Sequence, residues 1–213
     1  MRSSALLLPD FADETGLVAI GGDLLPGRLL QAYRSGVFPW YGEGEPICWW
    51  SPDPRAVFAL ERVHVPRRLL RTIRSGRFRV TVNADFAGVI RGCAEDRLEG
   101  TWITPEMIEA YETLHRLGHA HSIEVWCESE LAGGLYGVAI GGFFAGESMF
   151  TRNTDASKVA LIHTLERLQE RGFQLFDTQF ATPHTIRFGA VEISRSDYLD
   201  RLGYALRIGT SFA

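Results

Sequence analysis

A chain of 213 residues, 46% hydrophobic and 23% charged, carries enough apolar surface for a packed core, which excludes disorder as its main state. Three cysteines, Cys48, Cys93 and Cys127, cannot build a disulfide framework, and an odd count fits a reducing compartment. The net charge of −4 does not announce a nucleic-acid binder, although 21 of the 22 basic residues are arginine.

The N-terminal apolar run, Ala5 to Leu8, is too short for a signal peptide, whose core takes about 7–15 residues. The longest uncharged stretch, Leu131 to Gly146, has 16 residues. A spanning helix needs about 20. A cytoplasmic protein is therefore expected.

A helix is expected after Asp23, with Leu24, Leu25, Leu29, Leu30 and Tyr33 inward and Gly36 as its stop. Phe38-Pro39-Trp40 and Trp49 through Arg55 follow. Their prolines and tryptophans argue for irregular backbone held by aromatic packing. Next comes an arginine-rich helix with Pro66 in its first turn, Leu69, Leu70 and Ile73 inward, and Gly76 at its end. Seven arginines lie between Arg62 and Arg79 against the single acid Glu61. Such a run is either a solvated face or a phosphate-contacting patch.

From Phe78 onward helices and strands alternate. Phe78, Val80 and Val82 read as a strand, and Phe86, Val89 and Ile90 as a helix. Thr104-Pro105-Glu106 opens a helix through Met107, Ile108, Tyr111 and Leu114. Ser122–Cys127, Leu131–Ile140 and Phe143–Phe150 are strands with separators short enough for antiparallel hairpins. A long helix over Asp155 to Arg171, a strand over Gln174–Asp177 and a helix opened by Ser194 in capping-box style complete the chain. The expected class is α+β: a small N-terminal domain, residues 1–60, and a second domain, residues 61–213. The second resembles the acyltransferase fold of the GCN5-related superfamily, a mainly antiparallel mixed sheet flanked by helices. That superfamily carries a glycine loop for coenzyme A before its long helix. Here Thr151-Arg152-Asn153-Thr154-Asp155 stands there, without glycine.

Few constellations point to a site. His115, His119 and His121 with Glu124 have a metal-like spacing, but Gly118 interrupts the helix, and His121 and Glu124 fall on opposite faces of a strand. No Gly-x-Ser-x-Gly elbow is present. Cys93 and Cys127 read as core. Glu147 lies in a Gly-rich apolar strand, either paired with an arginine or awaiting a cationic ligand. Asp177 and Gln179 end a strand two residues apart, on one face if the strand is regular.

Taken together, the ordered strings resemble the leucyl/phenylalanyl-tRNA–protein transferase family. They include Gly21-Gly22-Asp23, Phe38-Pro39-Trp40, Trp49 through Arg55 and Gly100-Thr101-Trp102-Ile103-Thr104. Gly118 through Ser122, Glu124-Val125-Trp126, Gly133 through Gly137, Gly146 through Phe150, Ala156-Ser157-Lys158 and Asp177-x-Gln179 continue the series. Two places depart from the family's usual pattern. Thr178 stands where Cys is common, and Arg187-Phe188-Gly189 where Ser-Leu-Gly is usual.

The resemblance implies transfer of Leu or Phe, with Met as a further candidate, from aminoacyl-tRNA to proteins beginning with Arg or Lys, marking them for N-end-rule degradation. It implies no metal, ATP or coenzyme A, and a monomer is expected. By family position, Asp177 and Gln179 would orient the attacking amine, Gln179 through its carbonyl oxygen and Asp177 by holding Gln179 in place and polarising it. A cationic acceptor side chain wants a carboxylate, and Glu147 is the first candidate for ordering it or the amine. Leu135, Met149, Leu161, Leu165 and Phe176 would form the aminoacyl slot. Trp40 and Trp102 would stack on the terminal adenine, with Tyr33 and Tyr111 behind them; the alternative for all four is core packing, which suits Tyr111 best. Arg67, Arg68, Arg71 and Arg74 would contact tRNA phosphates. The competing readings are a coenzyme A-dependent N-acyltransferase, a FemX-type transferase with another amine acceptor, and a catalytically silent tRNA- or degron-binding protein.

Overall fold

The computed structural model describes residues 8–63, 65–95 and 101–213. The N-terminal reading on residues 1–7, the side chain of Arg62 and Gly100 lie outside the described residues. The elements in chain order are β1 (Leu17–Ile20), α1 (Pro26–Arg34), β2 (Phe38–Pro39), β3 (Cys48–Trp50) and β4 (Arg55–Phe58). Then come α2 (Arg67–Arg74), β5 (Arg79–Val82), α3 (Phe86–Ala94), α4 (Pro105–Arg116), β6 (Ala120–Cys127), β7 (Glu130–Ile140) and β8 (Phe143–Thr151). The chain continues through α5 (Ala156–Glu170), β9 (Leu175–Gln179), α6 (Pro183–Arg187), β10 (Ala190–Ile193) and α7 (Arg195–Ala205).

Among the described residues the strands form two sheets. The smaller has the order β1-β3-β2, and the larger β10-β4-β9-β8-β7-β6-β5. Pairs in the larger sheet are antiparallel except β8 with β9. Residues alternate between two cores. Val57, Tyr136, Val138 and Leu175 face the core built with α1, α3, α4 and α7. Phe58, Leu135, Phe144 and Phe176 face the core built with α5 and α2. This mixed sheet between helical layers is an α+β architecture.

Several local expectations hold for the reasons that produced them. Thr104 caps α4 through Met107 N–H, and Ser194 caps α7 through Asp197 N–H. The hairpins β6–β7 and β7–β8 are antiparallel. Three expectations need correction. The Trp- and Pro-rich segment is not irregular throughout, because Cys48–Trp50 is the middle strand of the smaller sheet and Arg55–Phe58 an inner strand of the larger. Its prolines stand at or between strand ends, where a missing N–H costs no ladder bond. Leu25 precedes the helix proper and is 54% exposed, while Leu29 and Tyr33 are buried. The reciprocal capping box belongs to α6, between Thr182 and Thr185, rather than to α7. The short elements β1, α6 and β10 were not anticipated.

The parallel pair matters most for the site. The register of β8 and β9 runs from Phe143↔Leu175 to Ala145↔Asp177 and stops there. Beyond this point each strand carries one extra residue. On β8 the register passes from Gly137↔Gly146 to Tyr136↔Ser148, leaving Glu147 without a partner on β7. On β9 it passes from Val57↔Asp177 to Ala56↔Gln179, leaving Thr178 without a partner on β4. Two bulges thus face the gap where the strands part. Gly146 sits in this gap, where a Cβ would come within 2.6 Å of the Phe176 ring.

Candidate active site

A cavity of about 340 Å³ opens at this parting. Leu135, Met149, Leu161, Phe176 and Phe58 make an apolar wall. Trp40 and Trp102 also line it, with Trp40 45% exposed at its mouth. Trp40 packs edgewise on Trp50 at 6.1 Å and tilted on Phe180 at 5.9 Å. The polar groups on the wall include Glu147, Ser148, Thr178 and Gln179. Of the residues expected from sequence, Trp40, Trp102, Leu135, Met149, Leu161, Phe176, Glu147 and Gln179 therefore converge on one cavity.

Four expected residues, Leu165, Tyr33, Tyr111 and Asp177, stand behind the wall. Leu165 lies one helical turn beyond Leu161 and is buried in the core under α5. Tyr33 is buried, and its hydroxyl donates to Glu147 Oε1 at 2.8 Å. Asp177 is fully buried and faces away from the cavity. The bulge at Thr178, together with a left-handed Gln179 at φ 57°, breaks the two-residue alternation that would put Asp177 and Gln179 on one face.

The two carboxylates live in different surroundings. Glu147 lies within hydrogen-bond distance of Tyr33 and, from α4, of the Tyr111 hydroxyl at 3.2 Å from Oε2; the two hydroxyls also touch each other, so with Glu147 ionised their two protons fill two of these three contacts. Burial pushes the Glu147 carboxyl up to about 7, against these hydrogen bonds, which favour its charged form. The reading of Glu147 as an arginine's partner does not describe this arrangement, whereas Tyr111 is a core residue as expected, with its hydroxyl turned to Glu147. The arginine goes to Asp177 instead. Arg55 donates from Nε to Oδ1 at 2.9 Å and from Nη2 to Oδ2 at 2.7 Å. Burial would lower the Arg55 guanidinium, but the Asp177 charge and hydrogen bonds, with Tyr198 and Glu147 adding to them, together outweigh it and hold Arg55 above its ordinary range.

Arg55, Tyr198 and the role of Tyr111 were missed from sequence. Arg55 was visible only as the end of an ordered string, and it lies 122 positions from Asp177. The departures from the family pattern separate as well. Thr178 lines the cavity, Arg187 is exposed, and Phe188 is buried in the core. His121 stacks on Phe212 while Glu124 is bound by Thr81, Ser122 and Ala84 N–H, so the two do point apart. Among the described residues no group of three His, Cys, Asp or Glu side chains could hold a metal ion. Among them, too, no helix is long and apolar enough to cross a membrane.

Arg67, Arg68, Arg71 and Arg74 are exposed on α2, whose Leu69 is buried against the core beneath α5. None of the four arginines forms an ion pair among the described residues. Arg77 and Arg79 continue the basic face, lying 4.8 Å from the Phe78 ring centre and 5.3 Å from that of Trp126.

An apolar slot between parted strands, walled by aromatic rings and floored by a carboxylate and an amide, fits an aminoacyl-transferring enzyme. Residues 57–203 match the family model for leucyl/phenylalanyl-tRNA protein transferase, and residues 22–53 match the model for its N-terminal domain. The chain belongs to the leucyl/phenylalanyl-tRNA–protein transferase family. A leucyl/phenylalanyl-tRNA–protein transferase of Solidesulfovibrio magneticus is 57% identical over 197 residues, covering 91% of this chain and 80% of the relative. One from Escherichia coli O7:K1 is 54% identical over 197 residues, covering 92% and 84%. Among solved structures, a GCN5-related N-acetyltransferase from Kribbella flavida is similar at 13% identity and a TM-score of 0.43, over 79% of this chain and 61% of that one.

Proposed function

We propose that this enzyme moves Leu or Phe from its tRNA onto the N-terminal α-amine of proteins beginning with Arg or Lys, in the cytoplasm, marking them for N-end-rule degradation. The observation that carries this reading is the cavity itself, with its apolar end matched to a Leu or Phe side chain and its polar end to an amine. Leu135, Met149, Leu161 and Phe176 supply the apolar end. Trp40 and Trp102 would hold the terminal adenine, a stacking contact worth about 1–3 kcal/mol.

The reaction is aminolysis of an ester. The neutral α-amine attacks the ester carbonyl, a C–N bond forms, the C–O bond to the ribose breaks, and the ribose oxygen leaves with the proton the amine gives up. A peptide α-amine titrates near 7.7–8.0, at about cytoplasmic pH, so no strong base is required. Orientation is the larger need. A glutamine amide cannot take the proton, but the oxygen of Gln179 can accept a hydrogen bond from the attacking N–H. Glu147 offers a carboxylate to the amine or to the acceptor's cationic side chain. The arginines of α2 would hold acceptor-stem phosphates without reading bases.

The test uses the purified protein with Leu-tRNA or Phe-tRNA and two peptides, one starting with Arg and one with Ala. Mass spectrometry should show a gain of one Leu or Phe on the Arg peptide alone. No gain on either peptide, with tRNA still bound, would refute the reading and favour a FemX-type acceptor or a binding protein. The Arg67→Glu, Arg71→Glu pair should weaken binding of several tRNAs alike and flatten its salt dependence by roughly 0.7–0.9 per lost phosphate contact. Unchanged affinity at moderate salt would remove α2 from the scheme.

A further inference from the structure

We infer that Arg55 and Tyr198 are positioning residues that act through Asp177 to fix Gln179 in the cavity. The inference rests on the aminoacyl-transfer reading above and adds two residues to its machinery.

Asp177 has no room for a substrate. Its Oδ1 accepts from Arg55 Nε at 2.9 Å and from the backbone N–H of Gln179 at 2.9 Å. Its Oδ2 accepts from Arg55 Nη2 at 2.7 Å and from the Tyr198 hydroxyl at 2.9 Å. A carboxylate offers about four acceptor sites, and these four donors fill them. Asp177 is 0% exposed and does not line the cavity. An incoming amine therefore meets Gln179 and not Asp177.

What Asp177 holds is a backbone. Gln179 lies at φ 57°, a region that L-residues other than Asn and Asp seldom adopt without support. Its N–H bond to Asp177 supplies that support. The amide orientation that satisfies its surroundings turns the Gln179 nitrogen to Gly146 O at 3.0 Å and Thr178 O at 3.1 Å. The amide oxygen is then the group that can accept from a ligand in the cavity.

Arg55 and Tyr198 in turn hold Asp177. Arg55 is 1% exposed, lies 4.7 Å from the Phe38 ring centre and 4.5 Å from that of Tyr198, and donates a third time to Gly36 O at 3.2 Å. A planar fork locked between two rings fixes both carboxylate oxygens at once, which a lysine could not do. Tyr198 reaches the same carboxylate from α7, so three separated segments set the position of one amide.

The experiment compares wild type, Tyr198→Phe and Arg55→Lys using Phe-tRNA and an Arg-starting peptide. A non-hydrolysable 3′-amide of phenylalanyl-adenosine is titrated into each to count intact sites. Tyr198→Phe keeps the ring and removes one donor. Its kcat should fall about tenfold, with the KM for Phe-tRNA within twofold of wild type and the analogue still binding one to one. Arg55→Lys should lower kcat about 100-fold in the same pattern. Wild-type kcat in Tyr198→Phe would overturn the inference. In Tyr198→Phe, a loss of analogue stoichiometry that accounts for the whole loss of kcat would overturn it too, since the sites that remain would then turn over as in wild type. Tyr198→Phe decides the matter alone if Arg55→Lys does not fold. A wild-type protein that turns over neither Leu-tRNA nor Phe-tRNA would instead refute the transfer reading, and the positioning role with it.

Discussion

The two strands that part to make the cavity handle charge in opposite ways. On β9 the carboxylate of Asp177 is buried, filled by four donors and matched to a full positive charge on Arg55. On β8 the carboxylate of Glu147 lines the cavity, and its two phenol partners, Tyr33 and Tyr111, are neutral. Each strand reaches this state by a one-residue bulge at the same level of the sheet. The β9 carboxylate is therefore fully paired, and the β8 carboxylate is the one whose charge is less firmly held. A bulge redirects a side chain at little cost elsewhere, which is why both groups can sit beside an otherwise regular apolar sheet.

The largest effect is expected where the fixed side is broken. Asp177→Ala leaves the Arg55 guanidinium buried without its counter-ion, and one-sided removal of a buried pair costs about 3–5 kcal/mol. Denaturant unfolding should show that loss together with near-complete loss of transfer. A variant with wild-type stability would mean that water or another group reaches Arg55, and the contrast between the two strands would fail. Next in size is Gln179→Ala, which keeps the backbone N–H bond to Asp177 and removes the amide. Its kcat should fall about 100-fold, the penalty for a misplaced reacting group, with little change in stability or tRNA affinity. Equal turnover would show that Gln179 does not orient the amine.

Much of this was legible in the sequence, and the reasons for the gaps are specific. The helices α3, α4, α5 and α7 and the β6–β7–β8 meander follow from apolar periodicity, Thr and Ser caps, and short polar or glycine separators. The cavity's apolar wall could be named because Leu135 and Met149 sit in ordered family strings and Phe176 is an apolar strand residue beside one. The bulges could not be read. A strand sequence gives the alternation only if the register is unbroken, and nothing in Gly146-Glu147-Ser148 or Asp177-Thr178-Gln179 marks the extra residue. That is why Asp177 was placed on the cavity face beside Gln179 and is instead behind it. Arg55 was hidden for a different reason. A charged residue in a Trp- and Pro-rich string reads as a loop cation, and only the topology brings it beside a strand end 122 positions away. The elements β10 and α6 are four and five residues long, too short for either period to declare itself.

The expected effect spread most gradually, over several pH units, probes the responsive side without any substrate. The Glu147 carboxyl is raised from an ordinary value of 4.5 to about 7. The folded protein therefore holds this proton more tightly than the unfolded chain does. Its contribution to stability is fully present below pH 4.5 and is lost as pH rises toward 7. Across that window the wild type should lose stability relative to Glu147→Gln, with a slope that stays below about 1.4 kcal/mol per pH unit for a single group. Above the window the difference should level off, because the carboxylate is then ionised in both states. Tyr111→Phe removes one of the two hydroxyls that favour the charged form, so it should move the upper end of the window to higher pH. The measurement is urea unfolding of the three proteins between pH 4 and 8. A wild type and Glu147→Gln that run parallel throughout would mean that Glu147 titrates like a solvent carboxylate, and β8 would then be no more responsive than β9. A wild type that falls relative to Glu147→Gln as pH rises, over a window that shifts in Tyr111→Phe, would fix the responsive charge at Glu147 and identify the Tyr111 phenol as a group that tunes it.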